Sequence, residues 1–384
     1  GPSGATRAYR LSKAGLRVIT LEKATFPRPK PCGGVLDSTF RAHLPSGMTV
    51  DSVVEAHVRE VSVGVVGGSR RVTIPLAGGS QTLMSSRERL DEHLARQAVG
   101  AGAVLREGAC VETVEPGSTG CLIRVKGDRI PLSASVVVAA DGVHSRVARQ
   151  YGLGTPRTVY VATDWAVYAT DAVRAKWDGV MQLDILRPPE VGYAWVFGKG
   201  DHLSVGVGTH HSRAANIKDR TQLYLRDLNI GHYRTQERAW WIPLARPGAR
   251  FANGRVLAVG DASGVVDPAS GGGLGWGIWS SEIAADSIIR HSGDGDGGLL
   301  MSGLAHQSEM ARVFLPRIKA AEALRNSILL SIAMTRRPEH VLWPEAIDKV
   351  SGPGDYLDFK TRHRVRYALG RAYQKLLVGP LIER

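Results

Sequence analysis

Apolar positions along the chain fall into two periods. Near the start, Ala8, Leu11 and Ala14 recur at helical spacing up to Gly15. Leu16-Arg17-Val18-Ile19-Thr20-Leu21-Glu22 then reads as a strand closing on an acid. Val136-Val137-Val138-Ala139-Ala140 and Val256-Leu257-Ala258-Val259 are apolar runs without alternation, the pattern of parallel strands covered on both faces. Each delivers an aspartate at its carboxyl end, in Asp141-Gly142 and Gly260-Asp261. Between these runs, Tyr193, Trp195 and Phe197 alternate along one face of a strand, and Leu203 to Gly208 is a second β-like run. Residues 39–79 and 156–249 are therefore expected to form an antiparallel sheet. Residues 291–384 read as mostly helical, with breaks at Pro316 and at Ser351-Gly352-Pro353-Gly354.

The glycines add chemistry to this outline. The helix and strand from Pro2 to Glu22 form the back half of a βαβ unit, whose opening strand would lie before residue 1. In a Rossmann-type dinucleotide fingerprint, Gly1 and Gly4 would be the second and third glycines, and Glu22 falls where a ribose-binding acid is expected. The register from Gly4 to Glu22 favours native sequence over an appended start. Alone, half a fingerprint is a weak signal. A second glycine cluster, Gly271-Gly272-Gly273, opens a helix running through Ile278, Ile283 and Ala284. A glycine-rich helix N-terminus suits a developing anion.

Composition narrows the class. The 384 residues are 43% hydrophobic and 22% charged, which suits a large α/β protein. The longest uncharged apolar candidate, Ile328 to Met334, is too short for a spanning helix. Cys32, Cys110 and Cys121 lack ligand-like spacing, which argues against a disulfide framework or a metal site and for a reducing, cytoplasmic compartment. Net charge is +13, part of it in Lys360, Arg362, Arg364, Arg366, Arg371 and Lys375. With Val365, Leu369, Ala372 and Leu376 at helical spacing, that tail forms a basic amphipathic helix. It suits peripheral contact with anionic lipid or ordinary packing on the domain. No nucleic-acid-binding module accompanies the charge.

Three segments taken in order, from Gly1 to Glu22, Val136 to Arg146 and Gly254 to Gly275, resemble the FAD-binding domain shared by aromatic hydroxylases, flavin halogenases and geranylgeranyl reductases. The resemblance implies that Asp261 holds the ribitol, that Gly271 to Gly273 face the flavin pyrimidine, and that Asp141-Gly142 lines the pyrophosphate side. Met84-Ser85-Ser86-Arg87 is similar to the strand-to-helix segment whose arginine, here Arg87, contacts FAD. Lys30-Pro31-Cys32-Gly33-Gly34 resembles a segment typical of geranylgeranyl reductases, where it lies beside the flavin with the cysteine near the reactive face. Tyr193-Ala194-Trp195-Val196-Phe197-Gly198-Lys199 is similar to their Tyr-x-Trp-x-Phe-Pro-Lys strand, with Gly198 replacing the proline. Without that resemblance, Cys32 reads as a small buried hydrophobe and the aromatic face as core.

The implied architecture is α/β: a discontinuous FAD domain (1–38, 80–155 and 250–290, first strand missing), a substrate sheet (39–79 and 156–249) and a helical region (291–384). The implied activity is hydrogenation of C=C bonds in a prenyl lipid or prenyl diphosphate, with Cys32, Tyr193 and Trp195 as candidate catalytic or positioning residues. No second Gly-x-Gly-x-x-Gly unit follows a strand, so electrons are expected from transient NAD(P)H or from a ferredoxin-type protein. A flavin monooxygenase or halogenase, or a lipid-binding protein without turnover, are the alternatives.

Overall fold

The computed structural model describes residues 1–335, except 77–81, 118, 156, 188–189 and 191, and beyond them residues 356, 367–369 and 372. Of the tail expected to form a basic helix, Tyr367, Ala368, Leu369 and Ala372 belong to these; the basic cluster and the 351–354 break lie outside the described residues.

The first helix spans Pro2–Lys13 and buries Ala5, Ala8 and Leu11 on one face. Arg10 and Lys13 occupy its last turn, where cations complement the helix dipole. Gly15, at φ +82°, reverses the chain into the strand Ile19–Leu21. That strand pairs in parallel with Val104–Arg106. A second parallel pair joins Val137–Ala139 to Val256–Ala258, with Val138 opposite Leu257. No hydrogen-bonded pairing links the two sets among the described residues. Helix Leu274–His291 packs on Pro2–Lys13 and places its glycine-rich start beside the ends of this layer.

Over that layer lies a nine-stranded sheet. Its main path runs Arg234–Gln236, Trp165–Tyr168, Leu203–His210, Gly192–Gly198, Val180–Ile185, Glu60–Val65 and Val72–Pro75, and Arg157–Thr163 and Ala239–Ala245 branch from it. The sheet is mixed rather than purely antiparallel: Val180–Ile185 runs parallel to Glu60–Val65, with Leu183 opposite Val63. The two segments meet only in three dimensions, after a long excursion through the other layer, so no hairpin forces them to be antiparallel. Trp195 stands opposite Leu183 on one side and Gly206 on the other. A Cβ at Gly206 would lie 2.3 Å from the Trp195 ring, so this glycine makes room for the indole.

The C-terminal helix is continuous over Gly295–Thr335 and carries Pro316 inside it, where a break was expected. A proline removes one backbone donor and crowds the preceding turn. Burial of Met310, Val313, Phe314, Ile318, Ala321 and Leu324 along one face holds the helix across that defect. Arg317 also donates to the Val313 carbonyl at 2.8 Å.

Candidate active site

A cavity of about 320 Å³ opens between the two layers. Its floor is made by the start of the Pro2–Lys13 helix, Gly142, Asp261 and the Gly271–Gly273 turn. The roof is the sheet, through Val61, Met181, Leu183, Tyr193, Trp195 and Ile242. The segment Lys30 to Gly34 runs along the wall between them.

That segment is held from the sheet side by a chain of hydrogen bonds. The Cys32 N–H donates to Asp164 Oδ2 at 2.8 Å, and Ser204 Oγ donates to Asp164 Oδ1 at 2.6 Å. Trp195 Nε1 in turn donates to Ser204 Oγ at 3.2 Å. Lys199, at the end of the aromatic strand, donates to the Gly33 carbonyl at 2.6 Å and to the Ser85 carbonyl at 3.2 Å. Burial pushes its ammonium below the usual lysine range. The glycines are needed for this closeness. A Cβ at Gly33 would sit 2.7 Å from the Phe197 ring, and one at Gly34, already at φ +72°, would sit 1.9 Å from the Ser85 oxygen.

The floor side of this segment carries charge. Lys30 Nζ lies 3.1 Å from Asp261 Oδ2, joining the wall segment to the floor. Deeper in, Arg87 grips Asp91 through two bonds of 2.6 and 2.9 Å, and Arg28 bridges Asp91 at 3.1 Å and Glu22 at 3.0 Å. Burial raises the Asp91 carboxyl, but the Arg87 guanidinium, the Gly1 ammonium and Arg28 together more than reverse it and hold it at about 2. A buried network of this kind fixes the end of the Ile19–Leu21 strand against the Arg87–Gly100 helix.

At the glycine turn, the helix Leu274–His291 begins without a side-chain cap among the described residues, and its first N–H groups point to where an acceptor could bind. Tyr193 Oη donates to the Ser270 carbonyl, tying the aromatic strand to this turn. Burial raises the Tyr193 hydroxyl well above its ordinary range, so it stays protonated. Asp267 accepts from the Ala269 N–H, Ser270 Oγ and Tyr356 Oη, and burial raises its carboxyl too. Asp37, on the wall beside the turn, accepts from the Phe40 N–H at 2.7 Å and is pushed by burial up to about 6.

Of the residues expected from sequence, Gly1, Cys32, Gly33, Gly34, Arg87, Gly142, Tyr193, Trp195, Asp261, Gly271, Gly272 and Gly273 border this one cavity. Four stand back from it. Gly4 lets the first helix close on Ala140, whose Cβ would be 3.3 Å from an added one. Gly260 packs against Ser3 and Gly277. The Asp141 carboxylate is turned to the Arg146 N–H, and Glu22 is engaged by Arg28. Sequence reasoning did not single out Asp164, Lys199, Lys30, Asp37 or Asp267 as site residues. Lys199 closes the aromatic strand and Lys30 stands two residues before Cys32, so both were within quoted segments. Asp164 is a lone acid between two apolar strands, which is the one signal it gives.

Comparison with known proteins matches the chain to a family. The FAD binding domain family matches residues 1–302. Digeranylgeranylglycerophospholipid reductase 2 of Methanothermobacter thermautotrophicus is 30% identical over 313 residues, 78% of either chain. Chloroplastic geranylgeranyl diphosphate reductase of rice, Oryza sativa, is 27% identical over 354 residues, covering 85% of this chain and 73% of the relative. A geranylgeranyl bacteriochlorophyll reductase-like protein from Thermoplasma acidophilum shares the fold, with a TM-score of 0.77, 18% identity and 97% of both chains covered.

Proposed function

The chain belongs to the geranylgeranyl reductase family of FAD-binding flavoproteins, and from that premise we propose that it saturates carbon–carbon double bonds of a prenyl chain. It is an FAD-dependent oxidoreductase. The observation that carries the substrate reading is the contrast within the cavity: an apolar, aromatic roof faces a floor built from glycines and an uncapped helix start. A long hydrocarbon suits the first surface and a flavin ring with its anionic edge suits the second.

The residues present fit FAD. Asp261 lies in the short 3-10 turn Gly260–Ala262 just past the strand Val256–Ala258, at the carboxyl edge of the parallel layer, where ligands of open α/β sheets bind. The Gly273 position leaves only 3.2 Å between an added Cβ and Asp261 Oδ1, a cradle that any side chain would fill. We assign Asp261 to the ribitol, Gly271 to Gly273 to the pyrimidine edge, Gly1, Arg87 and Gly142 to the phosphate side, and Glu22 to the far ribose. Reduced FAD supplies the hydride.

An isolated alkene is a poor hydride acceptor, so the site must exclude water and hold a proton against the double bond. The roof residues Trp195 and Phe197, both under 7% exposed, do the first. Protic groups for the second stand around the glycine turn: the Cys32 thiol, the Tyr193 hydroxyl and the Asp37 carboxyl. Burial raises both the Asp37 carboxyl and the Tyr193 hydroxyl, and of these two Asp37, at about 6, is the nearer to neutrality. NAD(P)H or a ferredoxin-type protein supplies the electrons.

The test is anaerobic. Reduced protein mixed with geranylgeranyl diphosphate should reoxidise its flavin and release a product heavier by two hydrogens per turnover. Flavin that stays reduced until oxygen enters would replace this reading with oxygen-dependent chemistry.

A further inference from the structure

Arg325 has no place in the chemistry above, yet it reaches into the cavity from the C-terminal helix. Its donors go to neutral oxygens alone: Nη1 to Tyr160 Oη at 3.0 Å and to the Pro268 carbonyl at 3.3 Å, and Nε to Asn326 Oδ1 at 3.2 Å. Nη2 has no partner, and no carboxylate pairs with the guanidinium, among the described residues. The neighbouring helix positions Ile328 and Leu329 are apolar wall. A half-buried guanidinium on a hydrocarbon surface is costly unless an anion joins it.

The surroundings add positive charge. Arg246 donates to the Thr158 hydroxyl at 3.2 Å, one strand position from Val159 and two from Tyr160. Arg246 and Arg325 both act on the Tyr160 hydroxyl, and Arg325, His211 and Arg213 all act on His210. His210 stacks edge-on with Tyr160 at 5.4 Å, and its buried Nε2 has no partner among the described residues. Two carboxyls lie close. Asp267 is consumed by its own three donors, and Glu322 sits one turn earlier on the helix.

We propose that Arg325 anchors the phosphate or diphosphate head of the prenyl substrate, so that this chain selects phosphate-headed prenyl compounds over neutral ones. The guanidinium is held by Tyr160, Pro268 and Asn326 in one orientation, with the Nη2 hydrogens left to donate charge-assisted bonds to a phosphate oxygen. This assignment rests on the prenyl reading of the cavity.

The experiment uses FAD-loaded protein and follows perturbation of the flavin absorbance as ligand is added. Three ligands are compared: geranylgeranyl diphosphate, geranylgeraniol, and a digeranylgeranyl glycerophosphate lipid in vesicles. Wild-type protein should bind either or both phosphate-headed ligands more tightly than the alcohol, and the two arms separate a soluble from a membrane-borne source. Arg325→Gln should weaken phosphate-headed ligands by about tenfold to a hundredfold, the loss expected for one charge-assisted contact, and change geranylgeraniol by less than about threefold. Arg325→Lys should recover part of that loss, and FAD content reports that each variant is folded. Equal losses for the diphosphate and the alcohol, or no loss for either, would overturn the anchor while leaving the prenyl reading intact. Failure of wild-type protein to bind any of the three would defeat the prenyl reading and the anchor with it.

Discussion

The Lys199 ammonium lies 2.6 Å from the carbonyl oxygen of Gly33, and the two residues are 166 positions apart in the chain. This contact fastens the segment that carries Cys32 to the end of the aromatic strand. The same ammonium also holds Ser85, at the entry to the Arg87–Gly100 helix. One buried cation therefore sets three pieces of the cavity wall.

Removing it should loosen the wall. Lys199→Met keeps the volume but leaves two buried carbonyls without a donor. A loss of about 1–3 kcal/mol in stability is expected, because the cost of the orphaned acceptors exceeds the desolvation regained. Thermal unfolding together with the ratio of flavin to protein absorbance checks it. An unchanged melting temperature with full flavin content would show that the contact holds nothing in place.

Gly34→Ala is expected to be far more damaging than its size suggests. The residue sits at φ +72°, and the new Cβ would approach the Ser85 oxygen to 1.9 Å and Lys199 Nζ to 2.4 Å. Backbone strain and overlap together should cost about 2–4 kcal/mol and yield protein that binds FAD weakly. Gly200→Ala, where nothing lies within 4 Å, is the control and should change stability by less than about 0.5 kcal/mol.

Asp37 gives stability a slope at mildly acidic pH. Burial raises its carboxyl from 3.8 to about 6. Between these values the folded chain keeps a proton that the unfolded chain has released. Stability therefore falls as pH rises through that window, and the loss, about 3 kcal/mol at most, is complete above about pH 6. Asp37→Asn retains an acceptor for the Phe40 N–H and carries no charge. It should match wild type near pH 4 and be the more stable protein at pH 7.5 in urea titrations. A pH-independent difference between the two would mean that Asp37 ionises normally.

Asp91 works in the opposite direction. Its folded carboxyl is held at about 2, against 3.8 ordinarily. Its contribution is present above about pH 4 and lost as pH falls from about 4 to 2. Asp91→Asn strands the Arg87 and Arg28 guanidiniums in a buried site and should cost about 3–5 kcal/mol at neutral pH. The penalty should shrink towards pH 2, and denaturant midpoints across pH 2–7 would show whether it does.

Local pattern was a good guide to single elements. Ala8 and Leu11 marked the first helix, the unbroken run at Val137–Ala139 marked a covered parallel strand, and alternation at Tyr193, Trp195 and Phe197 marked the roof. The glycine turns were legible for the same reason, since a glycine before a helix start is a local signal. Pro316 was misread because its local effect on the helix is overridden by distant packing on Phe314 and Ile318. The parallel pairing of Glu60–Val65 with Val180–Ile185 left no trace in either segment's own sequence.

What the sequence alone determined is the set of elements and the family's glycine and aspartate signposts, because burial repeats with the period of each element and is written into neighbouring residues. Tertiary structure decided which polar groups meet. Asp164 finds the Cys32 N–H across 132 residues, Lys30 finds Asp261 across 231, and Arg325 finds Tyr160 across 165. A polar side chain has no periodic partner along the chain. Its role is fixed only when sheet register and layer packing bring a specific acceptor within reach and remove the water that would otherwise serve in its place.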